Sequence, residues 1–410
     1  MEVLSRFCSA FIVSACLTLT APSALAGEDW TQEGQGPGAA GFNASQTTLG
    51  PAELPALAER WKRNLDTWQQ ATPAAVADGQ VYLVRRIDDP VSTVRSQLMR
   101  LDLATGQTVW KARAFESFAT PLVTRDAVVV AGTGIGNDAP HTPVRAFDRA
   151  TGAPRWQYLL PGAGNTAEAP HLQDGVVYLA ADAGDVVALD ADTGAVRWTR
   201  RIDIDCCGIH GLALGERVVV VSINDGLVGL DMADGSERWR YLVPANRLVS
   251  VRPMVVGDTA LAFDGHGHVH AVDIKTGQAR WQQLAPPGDI ARAMAPMASD
   301  GQRVYVLSGI VRPALSALDL VSGEALWSVR PGAFSHGVVV SNGVLYVPNQ
   351  RRILAFDPAS GAALPMAEIK ATTRWGDLSI AQGHLVISGG PVRAFAVPNL
   401  RSCRPVPTGQ

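Results

Sequence analysis

The sequence predicts an all-β fold, an eight-bladed β-propeller of four-stranded antiparallel blades whose ring is closed by an amino-terminal strand. Three observations carry this expectation. A turn phrase recurs at intervals near forty residues, alternating apolar runs fill the intervals, and the last unit lacks a strand that an isolated amino-terminal segment can supply.

The phrase reads hydrophobic-x-Asp-x-x-(Thr/Ser/Asp)-Gly, with Trp four residues beyond the Gly. Its copies are Asp102, Gly106 and Trp110; Asp148, Gly152 and Trp156; Asp190, Gly194 and Trp198; Asp231, Gly235 and Trp239; Asp273, Gly277 and Trp281; Asp319, Gly323 and Trp327; and a seventh, Asp357 and Gly361, without a Trp. Successive Asp residues lie 46, 42, 41, 42, 46 and 38 apart, a period of propeller blades rather than of a helical solenoid. Asp accepts backbone N–H bonds two residues on and Gly supplies the positive φ of a tight hairpin, so these positions are turn chemistry rather than catalytic groups. The Trp falls early on the following strand, where its ring can wedge between blades and bury area worth roughly a few kcal/mol. Two residues before the Asp stand Ala146, Ala188, Gly229, Ala271, Ala317 and Ala355, with Arg100 the exception. Their small size is expected to leave room for a neighbouring blade's ring.

Upstream of each phrase lie two further runs of period two joined by a polar turn, such as Pro170-His171-Leu172, Asp174-Gly175 and Val176-Val177-Tyr178-Leu179. That period and that punctuation mark strands, giving four per unit. Seven units run from Thr72 to the strand around Ala363 to Ile369. An eighth starts at Gly376-Asp377-Leu378 and stops after Val392-Arg393-Ala394-Phe395, because Ala396 stands where the turn Asp should be. The missing strand is expected from Glu59 to Leu65, with Trp61 in register. Joining the chain ends in one blade removes exposed edges.

Of the 410 residues, 1–26 read as a secretory leader: Arg6 precedes the apolar stretch Phe7 to Leu19, and Ala24-Leu25-Ala26 forms a cleavage site before Gly27. A second reading takes Val13-Ser14-Ala15-Cys16 as a lipoprotein box with Cys16 acylated. Either way the protein is exported, secreted or held at the cell envelope. Residues 27–58, rich in Gly, Pro, Ala and Thr, form an extended segment laid on the propeller or left mobile. The propeller occupies 59–400 and a tail 401–410, with no room for a second large domain. Net charge is -3, which gives no basic face for nucleic acid, and no stretch reaches membrane-spanning length. A monomer is expected.

In an up-and-down blade the Asp-Gly hairpins share one face, the hairpin face. Connections between blades, and between second and third strands, make the other, the loop face. Cys206, Cys207 and His210 fall between the third and fourth units, on the loop face near the axis. Adjacent Cα atoms lie about 3.8 Å apart, below the usual disulfide range of about 4.4–6.8 Å, so a Cys206–Cys207 ring is strained, although export favours oxidation. A structural ring and two unlinked thiols both remain open. Cys403 lies far from that pair and is expected free or linked to another molecule. His266, His268 and His270 alternate along a strand, and two such imidazoles can meet one metal ion, but the blade pattern simply continues through them. No metal site is assigned. Acidic residues of the loop face (Asp88, Asp89, Asp138, Glu168, Asp182, Asp205, Asp225 and Asp264) are scattered. Gly132-x-Gly134-x-Gly136 precedes no helix, which excludes a dinucleotide fingerprint. No catalytic residue is assigned.

With these phrases in hand, the chain resembles the pyrroloquinoline-quinone-like (PQQ-like) repeat propellers, whose blade signature is Ala-x-Asp-x-x-Thr-Gly-x-x-x-Trp, over about residues 59 to 397. Trp30, Gly41-Phe42-Asn43 and Thr47-Thr48-Leu49 are similar to the lead-in of secreted members of undefined role. One branch, the outer-membrane assembly lipoprotein BamB, implies a non-enzymatic scaffold with a protein or peptide partner on the loop face and no cofactor. The other, the quinoprotein alcohol dehydrogenases, implies PQQ with calcium, covered by a vicinal disulfide that Cys206-Cys207-Gly208-Ile209-His210 resembles. The likeness departs where those enzymes continue Asn-Arg-Gly, their Glu-containing loop has no counterpart, and the loops here are mostly short. Sharing a fold transfers neither activity, and the scaffold is the expected function.

Overall fold

Runs of Val, Leu, Ala and Tyr alternating across a pleat bury both faces only when sheets stand side by side, and this chain arranges them radially. The structure, a computed structural model, describes residues 28–398 except 66–70, 88–95, 115–116, 118, 133–140, 162–168, 205–207, 245–248, 250, 287–296, 310–312, 333–336, 349–351 and 371–376. Within it stand eight four-stranded sheets, the blades of one propeller.

Blade 3 shows the plan. His171–Gln173 is innermost, followed by Val176–Ala180, Asp185–Asp190 and the outer strand Val196–Arg201, each paired antiparallel with the next. Blades 1, 2, 4, 5 and 6 repeat it, with outer strands Thr108–Ala114, Pro154–Pro161, Glu237–Leu242, Ala279–Leu284 and Ala325–Val329. In each turn phrase one Asp oxygen organises the hairpin: Asp148 Oδ1 accepts from Ala150 N at 3.1 Å, Thr151 N at 2.9 Å and Thr151 Oγ1 at 2.8 Å.

The Trp and Gly of the phrase meet between blades. Trp110 lies over Gly152 of the next blade, Trp156 over Gly194, Trp198 over Gly235, Trp239 over Gly277, Trp281 over Gly323 and Trp327 over Gly361. Each indole N–H donates to the carbonyl of the residue after the next blade's turn Asp, as in Trp156 Nε1 to Ala191 O at 3.0 Å and Trp239 Nε1 to Ile274 O at 2.7 Å. The turn Gly is therefore doubly constrained. Gly194 has φ of +72°, and a Cβ there would stand 2.6 Å from Trp156.

The small residue before the Asp answers a different ring from the one expected. Ala188 pairs with Trp198, Gly229 with Trp239 and Ala317 with Trp327, all within one blade. A Cβ on Gly229 would reach 2.2 Å from Trp239, so the room is made for the blade's own indole.

Blade 8 consists of Asp377–Ala381, His384–Ser388, Val392–Ala396 and, as outer strand, Ala58–Arg63. Trp61 pairs with Ala394 and reaches over Gly106 of blade 1, so the closing blade uses the same latch as the others. Blade 7 departs from the plan. Its own strands are Val339–Ser341, Val344–Pro348 and Ile353–Phe356, and beyond them, among the described residues, single bridges, Phe356 to Ala363 and Arg352 to Lys370, stand in for the expected outer strand. Pro365 lies between those bridges and cannot donate to a ladder. The fourth strand of this sheet is Phe42–Asn43, parallel to Val339–Ser341 on its inner edge.

Candidate functional site

The inner strands of a propeller present unpaired N–H groups to the axis, and buried backbone donors require partners. Residues 30–43 supply them blade by blade. Trp30 and Val76 of blade 1 exchange both backbone bonds at 2.7 Å, Thr31 O accepts from Val123 N of blade 2 at 2.8 Å, and Gln32 Oε1 from Leu172 N of blade 3 at 2.8 Å. Pro37 O then takes Leu214 N of blade 4 at 2.8 Å, and Gly38 O takes Val255 N of blade 5 at 2.8 Å. Ala40 O takes Ser299 N of blade 6 and Gly41 O takes Val340 N of blade 7, both at 2.9 Å, and Asn43 Nδ2 reaches Ile380 O of blade 8 at 2.7 Å.

This segment is an axial strap that touches all eight blades in order. Its glycines have a mechanical reason: a Cβ on Gly38 would stand 2.2 Å from Val255 O. At its start the Asp29 carboxylate spans the ring closure, accepting from Asp78 N of blade 1 and Gln382 Nε2 of blade 8. Burial raises the Asp29 pKa above the ordinary carboxylate value, with the Gln382 bond acting against it.

Above the strap lies a pocket of about 90 Å³, floored by Trp30, Glu33, Gly34 and Gly41. Pro73, Thr120, Met297 and Leu378, which precede or begin inner strands, contribute to its wall, placing it on the loop-face side. Glu33 pairs with Arg252 of blade 5 and also accepts from Thr120 Oγ1 at 3.4 Å. The site's strongest charges thus cancel. Behind them His171 is fully buried, and burial, with the Arg252 charge second, pushes its pKa down to about 3. It stands neutral.

Of the residues expected to matter for a cofactor, Cys206 and Cys207 lie outside the described residues, as do Cys16, the leader 1–26 and Cys403. His210 is the second residue of the inner strand Ile209–Leu214 and its Nε2 lies 2.6 Å from Asn224 Oδ1. It faces Asp182, whose pKa burial raises while His210 lowers it. Asp182, Asp225 and Asp264 are described, whereas Asp88, Asp89, Asp138, Glu168 and Asp205 are not.

The alternating histidines do not share one role. His266 lies in the turn before His268–Asp273, and Asp264, fully buried, accepts from His266 N, His268 N and His270 Nε2, each at 2.9 Å. His270 Nδ1 meets Tyr241 OH of blade 4 at 2.9 Å. Burial pushes the Asp264 pKa up, but these bonds outweigh it and hold the carboxylate well below its ordinary range. The result is an interblade Tyr–His–Asp chain. Among the described residues, no group of three or more His, Cys, Asp or Glu is placed to hold a metal ion.

Sequence reasoning missed the strap, because Gly, Pro and Ala composition marks irregular backbone without saying where it goes. It also missed the Arg preceding the Trp: Arg197 binds Asp190 Oδ2 at 3.0 Å and Arg280 binds Asp273 Oδ2 at 2.7 Å. The repeated Arg-Trp dipeptide was its signal.

The family model described as outer membrane protein assembly factor BamB matches residues 140–364. A BamB of Moranella endobia is 27% identical over 241 residues, covering 53% of this chain, which spans only 60% of that relative's length. A quinohemoprotein alcohol dehydrogenase of Comamonas testosteroni is 29% identical over 155 residues, covering 33% of this chain and 22% of that one. The crystal structure of the Comamonas enzyme superposes with a TM-score of 0.71 at 15% identity, covering 93% of this chain and 82% of that one. BamB of Moraxella catarrhalis superposes with a TM-score of 0.59 at 17% identity, covering 83% and 99%. Both likenesses concern the fold alone.

Proposed function

The chain belongs to the outer membrane protein assembly factor BamB family, and from that membership we propose that it is an exported, cell-envelope scaffold without catalytic activity. Its loop face holds a protein or peptide partner. The observation that carries this reading is the strap: residues 30–43 run along the inner strands of all eight blades, and the axial pocket bounded by the described residues measures about 90 Å³, below the range of about 300–1,000 Å³ for ordinary small-molecule sites. A rigid ring with short polar loops suits macromolecular recognition, because the scaffold limits the ordering cost of binding.

The second reading is a PQQ-dependent dehydrogenase, favoured by the sequence match to the quinohemoprotein alcohol dehydrogenase. PQQ is a tricarboxylate and its calcium ion requires several oxygen ligands. The described residues do not fit that pair: the axial pocket's Arg252 is engaged by Glu33, and no acidic cluster converges. The Cys206-Cys207 lid would be the remaining element of such a site.

Purified mature protein incubated with PQQ and calcium, then assayed by absorbance and by dye reduction with alcohols or sugars, separates the two. The scaffold reading expects neither retained quinone nor turnover. Saturable quinone binding with turnover, lost in Cys206→Ser, would overturn it.

A further inference from the structure

Asp29 leads into the axial strap, is only 3% exposed, and uses half of its carboxylate. Its Oδ1 accepts from Asp78 N at 3.3 Å and from Gln382 Nε2, whereas the equally buried Oδ2 has no hydrogen-bond partner among the described residues. A carboxylate taken out of water without a counter-charge is costly, so such an oxygen calls for a donor. The cation that acts on Asp29 through space is Arg149, and that guanidinium is already bound to Asp78 Oδ2 at 2.7 Å and to Tyr82 OH at 3.1 Å. Asp78 itself adds a like charge.

The main chain around Asp29 is held in place. Glu28 Oε1 accepts from Thr47 N at 3.2 Å and Thr47 Oγ1 at 3.0 Å, Glu28 O accepts from Asn43 Nδ2 at 3.1 Å, and Asp29 O accepts from Gln35 Nε2. Whatever precedes Glu28 therefore starts from a fixed point next to Asp29. The preceding residue is Gly27, the first after the Ala24-Leu25-Ala26 cleavage site. Hydrolysis of the Ala26–Gly27 bond takes up one water and leaves a carboxylate on Ala26 and an ammonium on Gly27. Two residues span at most about 7 Å, so that ammonium is created within reach of the Asp29 side chain.

We propose that the buried Oδ2 of Asp29 is the docking site for the α-ammonium of Gly27, formed when the leader is removed, so that maturation of the chain locks the start of the strap and the joint between blades 1 and 8. Before cleavage position 27 offers one neutral amide N–H; after it, three donors and a full positive charge, which make the stronger, charge-assisted bond. The strap of the uncut chain is accordingly less firmly seated than that of the mature one. This inference rests on the exported reading, and its test separates a failure of cleavage at that point from a failure of docking.

Mass spectrometry of the exported protein first gives its amino terminus. Gly27 is expected, and any other terminus overturns both the leader boundary and the proposal. Chains that begin at Gly27, and chains with one alanine added before it, are then released from a cleavable fusion and compared with and without Asp29→Asn. The readout is amide exchange at Val76 and Val123, whose N–H groups bond Trp30 O and Thr31 O. With Asp29 present the added residue is expected to speed exchange at least about tenfold, or about 1.4 kcal/mol. In Asp29→Asn it is expected to change nothing, because the pair is already gone. A second measurement needs no variant and carries the test if Asp29→Asn fails to fold: reductive methylation of the Gly27 α-amine is expected to be at least about fivefold slower in the folded chain than in the same chain in urea, since a paired ammonium resists deprotonation. An equal cost of the added residue in both backgrounds, or equal methylation rates, overturns the proposal and leaves the cleavage site standing.

Discussion

Trp61 and Gly106 are 45 positions apart in sequence yet form the joint between the last blade and the first: the indole stands where a glycine Cβ would be 2.6 Å from its ring, and its Nε1 donates to Leu103 O at 2.7 Å. The same joint recurs at six other blade interfaces, but only here does it hold a strand from the front of the chain. Trp61→Ala removes a buried ring and its hydrogen bond, a change that costs about 3–5 kcal/mol in packed interiors. A urea melt is expected to show that loss. It should be accompanied by faster amide exchange across Ala58–Arg63, which in Trp110→Ala should stay slow. Unchanged stability in Trp61→Ala would mean the ring is held shut by something else.

Gly38 offers a test of the strap. A methyl group there collides with Val255 O, and backbone does not yield as a side-chain tip does, so Gly38→Ala is expected to cost about 1–3 kcal/mol. Exchange mass spectrometry is expected to locate the damage: the amides of Val255, Ser299 and Val340, which donate to Gly38, Ala40 and Gly41, should lose protection while outer strands keep theirs. Uniform loss of protection would contradict a locally seated strap.

What was legible in the sequence followed from local chemistry. The Asp, the Gly and the period-two runs each announce a turn or a strand within a few residues, and repetition turned them into a ring. Trp61 was legible because it sat in register without a phrase before it. The strap was not, since its partners are eight separate inner strands and no local pattern encodes a path across all of them. The small-residue slot was half legible: size was read correctly, but the ring it accommodates is on the adjacent strand of the same blade. Pro365 was visible and should have demoted the outer strand of blade 7.

His171 sets an acid limit on stability. Its folded pKa is depressed to about 3 by burial first and the Arg252 charge second, whereas an unfolded imidazole titrates near 6.5. The stabilising neutral form is therefore fully favoured above about 6.5, and as pH falls the unfolded chain takes up a proton that the folded chain refuses, at about 1.4 kcal/mol per pH unit. Stability should decline from about pH 6.5 toward about 3. His171→Gln, which cannot take that proton, is expected to flatten this part of the profile, measured as urea midpoint against pH. An identical profile in the variant would assign the acid loss to other groups.

The interface between blades 7 and 8 is where both halves of the latch are missing, and the absences are linked. Blade 8 receives its outer strand from the front of the chain, its sequence has Ala396 and Leu400 where a turn phrase would have Asp and Gly, and blade 7 has Pro365 where the matching Trp would stand. The continuation of the strap fills the gap: Leu49 and Leu54 are fully buried in one cluster with Tyr346, Ile369 and Leu385. Leu54 O accepts from Ala367 N at 3.0 Å, and Leu49 O from Tyr346 OH at 3.4 Å. The chain thus replaces an indole with an aliphatic wedge. Leu54→Ala leaves a cavity at the one interface that has no latch to limit it, so a loss toward the upper end of about 2–5 kcal/mol is expected, with exchange accelerating first in Asp377–Ala381 and Val344–Pro348. If those strands instead remain as protected as blade 4, the wedge does not hold the interface, and the blade 7 strands are secured by their other contacts, Phe42–Asn43 and the Trp327 latch among them.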